Sequence, residues 1–155
     1  MEAAQEFSDR TLTMTRTFNA PRALVWEAWT QPNHISQWWG PKGMTTEIKK
    51  HAFEEGGEWE YSMAMPDGKD FRSFGQYQKI VEPELIETTA NFIPMTVGVT
   101  LIASFTDAGD QTGFEFKVVH ETEEYAQQQL KMGFDKGWGS VFDGLNEYLS
   151  ELQSK

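Results

Sequence analysis

Three histidines, two neighbouring glutamines and a few strand carboxylates are the side chains of this 155-residue chain placed to act as acids, bases or ligands. His34, His51 and His120 stand far apart and share no metal-ligand spacing. The chain has no cysteine, which excludes disulfides, thiolate metal sites and thiol nucleophiles. No G-x-S-x-G, no phosphate-binding G-x-x-x-x-G-K-[ST] and no H-E-x-x-H occurs, and Gly137-x-Gly139 lacks the strand and the third glycine of a dinucleotide loop. His34 is expected on the surface near a helix start and His51 near a strand end. His120 continues the inward alternation of Phe114, Phe116 and Val118, so it is either a satisfied structural histidine or a general base or ligand contact. Glu58 and Glu60 alternate with Trp59 and Tyr61 and read as outward, while Asp70 and Arg72 read as surface groups at a strand start. If Ile80 points inward, period two carries Gln78, Gln76 and Phe74 inward with it, as polar fixtures that need hydrogen-bond partners. A register break at Gly75 would reverse that placement.

The aromatic side chains carry a stronger signal than the titratable ones. There are 6 Trp and 11 Phe in a chain with 13 Lys+Arg, 24 Asp+Glu and a formal charge of −11. The acidic balance, with no basic block, argues against nucleic acid or an anionic membrane as partner, because phosphate rewards clustered Lys and Arg. No run approaches a membrane span, and the first residues have neither the basic nor the apolar region of a secretion signal. A soluble, cytoplasmic, single-domain protein is expected, with residues 1–9 as a flexible tail.

Elements that could position these residues follow from periodicity. Leu12, Met14 and Phe18 alternate with polar residues, as in a half-buried strand. Asn19 can cap a helix with Pro21 in its first turn and Leu24, Val25, Ala28 and Trp29 as its apolar face. A second short helix runs from Pro32 to Trp38-Trp39, and Gly40-Pro41-Lys42-Gly43 turns the chain. Six strand patterns follow between Met44 and His120, with Pro66-Asp67-Gly68-Lys69 as the clearest hairpin turn. Phe134, Trp138, Val141, Phe142, Leu145, Tyr148, Leu149 and Leu152 then recur at three- and four-residue steps on one side of a helix. Beside them Gly133, Gly137, Ser140 and Gly144 form a small-residue stripe, which marks either a closely packed backbone or a space kept open. The predicted fold is α+β: a curved antiparallel sheet of about seven strands gripping a long C-terminal helix, with two short helices between strands one and two.

Phe18-Asn19-Ala20-Pro21 with Val25-Trp26, Trp38-Trp39-Gly40-Pro41, Gly56-Gly57-Glu58-Trp59, Asp67-Gly68, Gly75 before Ile80-Val81-Glu82-Pro83, and Gly137-Trp138 occur in that order over nearly the whole chain. In this ordered set the chain resembles the SRPBCC or START-like (helix-grip) superfamily, and within it the stand-alone bacterial domains related to the activator of Hsp90 ATPase. The resemblance implies the helix-grip fold. It implies function only broadly, since similar domains include lipid and hormone binders, cyclases, hydrolases and co-chaperones. The separate amino-terminal domain of the eukaryotic co-chaperone is not expected in this length.

The leading expectation is a binding protein for a small apolar, aromatic or lipid-like molecule held between the sheet and the C-terminal helix. Its candidate cavity residues are Trp39, Phe53, Trp59, Tyr61, Met63, Phe74, Gln76, Phe92, Phe105, Phe116, His120, Phe134, Trp138 and Phe142. Trp38 and Trp39 near the mouth would either gate the cavity or plug it. A second expectation is a stress-related or chaperone-associated domain that uses an exposed face, and a third is a cyclase- or hydrolase-like enzyme with His120, Gln76 or Tyr61 as polar groups. No catalytic residue, metal or cofactor is assigned.

Overall fold

The computed structural model describes residues 10–39, 46–64, 70–93, 96–131 and 134–154. The expected tail at 1–9, the turns at 40–43 and 66–69, Gly133, the surroundings of Gly137 and the side chain of Phe134 lie outside the described residues. In chain order the elements are β1 (Thr11–Phe18), α1 (Arg22–Thr30), α2 (Pro32–Trp38), β2 (Thr46–His51), β3 (Glu58–Ala64), β4 (Asp70–Val81), β5 (Leu85–Ile93), β6 (Thr96–Ala108), β7 (Gln111–Val119), α3 (Glu123–Lys131) and α4 (Phe134–Gln153). The strands form one antiparallel sheet in the order β1-β7-β6-β5-β4-β3-β2. The fold is the predicted one.

Alternation decides which face is dry. Trp59, Tyr61 and Met63 of β3, Leu101, Ala103 and Phe105 of β6, and Phe114, Phe116 and Val118 of β7 all point to one buried side. In β4 the inward residues are Ser73 and Tyr77, and Gln76 is exposed. The expectation that Phe74 and Gln76 face inward is therefore corrected. Pairing with β5 slips between Tyr77 and Lys79, so counting back by twos from Ile80 crosses an irregularity and reverses the faces. Phe74 instead lies under the Arg72 guanidinium, 5.3 Å from its ring centre, and Arg72 pairs with Glu60 at 3.0 Å on the outer face.

The C-terminal helix α4 lays Val141, Phe142, Leu145 and Leu149 on the dry face, while Asp143, Glu147 and Glu151 remain exposed. Its distal half is tied to the corner after β1: Asn146 Oδ1 accepts from the Asn19 backbone N–H at 3.0 Å, and the Gln153 amide donates to the Asn19 carbonyl at 2.6 Å. Asn19 does not cap α1 as expected; its side-chain oxygen accepts from Gln111, and Pro21 occupies the cap position. Of the small residues, Ser140 and Gly144 are half-buried, and Gly139 is buried where a Cβ would stand 2.7 Å from Arg16 Nη2. At Gly139, then, a side chain from β1 crosses close to the helix.

Helix α3 has no counterpart in the sequence reading. Only Ala126 is buried on it, so no apolar stripe announces it. Thr122 Oγ1 accepts the Tyr125 N–H at 3.1 Å, Glu123 and Glu124 sit in the first turn and Lys131 in the last, all of which favour a helix without a deep core face.

Gly75 pairs with Trp59 across β3 and β4, and a Cβ there would run into the Thr89 carbonyl oxygen and come within 3.1 Å of Trp59 Nε1. Gly75→Ala is expected to lower the unfolding free energy by about 3 kcal/mol or more, as overpacking against backbone does. Urea unfolding of the variant measures it; a loss under about 1 kcal/mol would mean that β4 and β5 separate easily.

Candidate functional site

Tryptophans from α1 and α2 face tryptophan and tyrosine from the sheet. Trp29, Ile35, Trp38 and Trp39 come down from the short helices; Trp59, Tyr61, Tyr77, Ile86, Thr88, Leu101, Ala103 and Phe116 come up from five strands. Between them lies an interior cavity of about 30 Å³, enough for a water-sized group. The sequence places the site against the C-terminal helix, whereas this cavity lies beneath α1 and α2. The short helices and the residue after them supply Trp29, Trp38 and Trp39, which cover that part of the sheet.

The expected cavity residues fall into several groups. Trp39, Trp59, Tyr61 and Phe116 line the cavity. Phe53, Phe105, Trp138 and Phe142 stand one layer back: Phe53 is 5.1 Å from Tyr77, Phe105 5.7 Å from Trp29, Trp138 4.7 Å and Phe142 5.0 Å from Phe116, measured between ring centres. Phe92 is buried against Trp138, and Met63 is buried on β3 beyond Tyr61. Phe74 and Gln76 are on the outer face, and Phe134 is outside the described side chains. His120 is buried where β7 leaves the sheet; its backbone exchanges hydrogen bonds with Arg10, and it is not among the lining residues.

Sequence reasoning missed Trp29, Ile35, Tyr77, Thr88 and the aliphatic floor of Ile86, Leu101 and Ala103 as lining residues. The apolar face of α1 was the available signal for Trp29. Tyr77 was hidden by the same slip that misplaced Gln76.

Each buried ring with a polar atom must satisfy it locally. Trp38 Nε1 donates to the Ala28 carbonyl at 2.8 Å, Trp39 Nε1 to Ser73 Oγ at 3.1 Å and Trp59 Nε1 to Thr88 Oγ1 at 2.7 Å. A relay runs along the cavity edge. His51 Nε2 lies 2.7 Å from the Thr30 carbonyl, which only accepts, so Nε2 carries the proton and Nδ1 accepts from the Tyr61 hydroxyl at 3.0 Å. Tyr77 is the second buried phenol at this edge of the cavity. Burial raises both phenols, Tyr77 to about 12 and Tyr61 further, and burial lowers His51, so all three are neutral at pH 7. This set can orient a bound polar atom.

His51 and His120 are both held below their ordinary 6.5 by burial. Between those lowered values and 6.5 the unfolded chain binds more protons than the folded one, so stability rises with pH there. The unfolding midpoint is expected to be level just above pH 7 and to fall as the pH drops through 6.5 and below. Thermal scans of the native protein and of His51→Gln check this, with a shallower acid loss expected in the variant.

A family model described as activator of Hsp90 ATPase homolog 1-like protein matches residues 19–150. No curated protein matches the chain in sequence. Among solved structures, one from Mycobacterium smegmatis superposes with a TM-score of 0.83 at 24% identity, covering 94% of each chain. One from Arthrobacter aurescens gives 0.85 at 24% identity over 94% of this chain and 88% of that one. A protein titled AHSA1 from Silicibacter pomeroyi gives 0.71 at 17% identity over 90% and 97%. At these identities the structures speak for the fold alone. With its family match spanning most of the sequence, the chain belongs to the activator of Hsp90 ATPase homolog 1-like family, within the SRPBCC superfamily.

Proposed function

We propose that the protein binds a small apolar molecule, aromatic or lipid-like, in the interior beneath α1 and α2. The observation that carries this reading is the ring-lined cavity itself, in which one polar atom of the lining remains unmatched. As it stands the cavity is far below the roughly 300–1,000 Å³ of a ligand pocket, so a ligand enters by displacing the layer above it. Ring packing holds that layer on the sheet, and hydrogen bonds add little. Neither short helix has a side-chain N-cap, and the bonds from it to the sheet are few: His51 to the Thr30 carbonyl, Trp39 to Ser73 and Thr46 Oγ1 to the Trp39 carbonyl at 2.6 Å.

The family's description speaks of Hsp90 ATPase activation, which raises a protein partner as the other reading. The described surface offers it less. The large exposed apolar side chains are Val81 on β4 and Tyr125 and Leu130 on α3. Tyr125 and Leu130, five residues apart, point about 140° from each other around the helix and make no shared patch.

Thermal unfolding against fatty acids, sterols, flavonoids and polycyclic aromatics tests the proposal. A compound class is expected to raise the midpoint of the native protein by mass action. Ala103→Met, which fills the cavity floor, is expected to abolish that rise while the protein still folds. No shift with any class, or an undiminished shift in Ala103→Met, would overturn it.

A further inference from the structure

Among the polar side-chain atoms of the cavity lining that are shut off from solvent, one has no partner: the indole N–H of Trp29, a residue with 8% of its surface exposed. The neighbouring indoles of Trp38, Trp39 and Trp59 all donate to protein oxygens, and the Tyr61 hydroxyl bonds to His51. An unmatched donor beside free space marks where an acceptor belongs.

The rest of the lining sorts ligands by charge. No Lys or Arg lines the cavity, so a carboxylate would be buried without a counter-charge. An ammonium group has no lone pair to offer the Trp29 N–H. A pure hydrocarbon would leave that donor unmatched. We propose that the cavity takes a neutral aromatic molecule bearing a carbonyl oxygen, and that this oxygen accepts the hydrogen bond of Trp29 Nε1–H. The inference rests on the reading that a small molecule enters this cavity. Free space of about 30 Å³ at the lining matches the size of the oxygen to be placed, and the ring that carries it stacks among indoles in place of a displaced side chain. A water held there in the empty protein would satisfy the same donor and leave as the carbonyl arrives.

The test compares fluorene with fluorenone, which share a ring frame and differ in the carbonyl. Calorimetric titration of the native protein is expected to show fluorenone binding about tenfold tighter, the worth of one hydrogen bond inside a protein. In Trp29→Phe, which keeps an aromatic ring and removes the N–H, the two probes are expected to bind alike. As a check that needs no variant, the Trp29 indole proton in the native protein should resonate further downfield in the fluorenone complex than in the fluorene complex. Equal binding of the two probes by the native protein, or a preference that persists in Trp29→Phe, would overturn the assignment to Trp29 and leave ligand binding standing. If neither probe binds the native protein, this inference fails together with the reading beneath it.

Discussion

A buried indole brings an N–H into the interior, and the layout around the cavity follows from where the four indoles that line it can send theirs. Trp38 turns its N–H back to the Ala28 carbonyl of the preceding helix, which fixes α1 against α2. Trp39 and Trp59 send theirs to Ser73 of β4 and Thr88 of β5. Those partners have to be small hydroxyl residues on inward positions, and both are buried on the dry face. Only Trp29 is left without a partner, at the place where packing between helices and sheet is incomplete. The same constraint thus explains the closed part of the core and points to its open part.

The sheet makes room for these rings by bending. Pairing is irregular between β2 and β3, β4 and β5, and β5 and β6, and such irregularities deepen the twist of a sheet. On the concave side the long helix occupies one half, anchored by Leu145, Leu149 and the Asn19 corner. The short helices occupy the other. Their latch through His51 to Thr30 continues to the Tyr61 hydroxyl, so movement of the short helices and the hydrogen bonding of the cavity edge are linked.

Much of this was legible in the sequence. Strict alternation in β3 and β7 identified Trp59, Tyr61, Met63, Phe114 and Phe116 as inward, and the three- and four-residue spacing after Phe134 gave the C-terminal helix its buried face. Errors came where periodicity is interrupted. The slip after Tyr77 exchanged Gln76 for Tyr77, and a helix with a single buried residue, α3, left no stripe to read. The small-residue stripe of Gly133, Gly137, Ser140 and Gly144 left a close backbone or an open space as alternatives; off that stripe, at Gly139, the close neighbour is the Arg16 side chain. Among the described residues the cavity lies under the short helices, and its position depends on how they close over the sheet, a long-range fit that local pattern does not encode.

The central claim is that a ligand sits under α1 and α2. The most direct measurement is a set of intermolecular nuclear Overhauser contacts between a bound aromatic probe and methyl-labelled protein. The account predicts contacts to the methyls of Ile35, Ile86, Leu101 and Ala103, which surround the cavity. Contacts confined to Leu149 and Leu152 of the C-terminal helix, or to the exposed Val81 and Leu130, would contradict it.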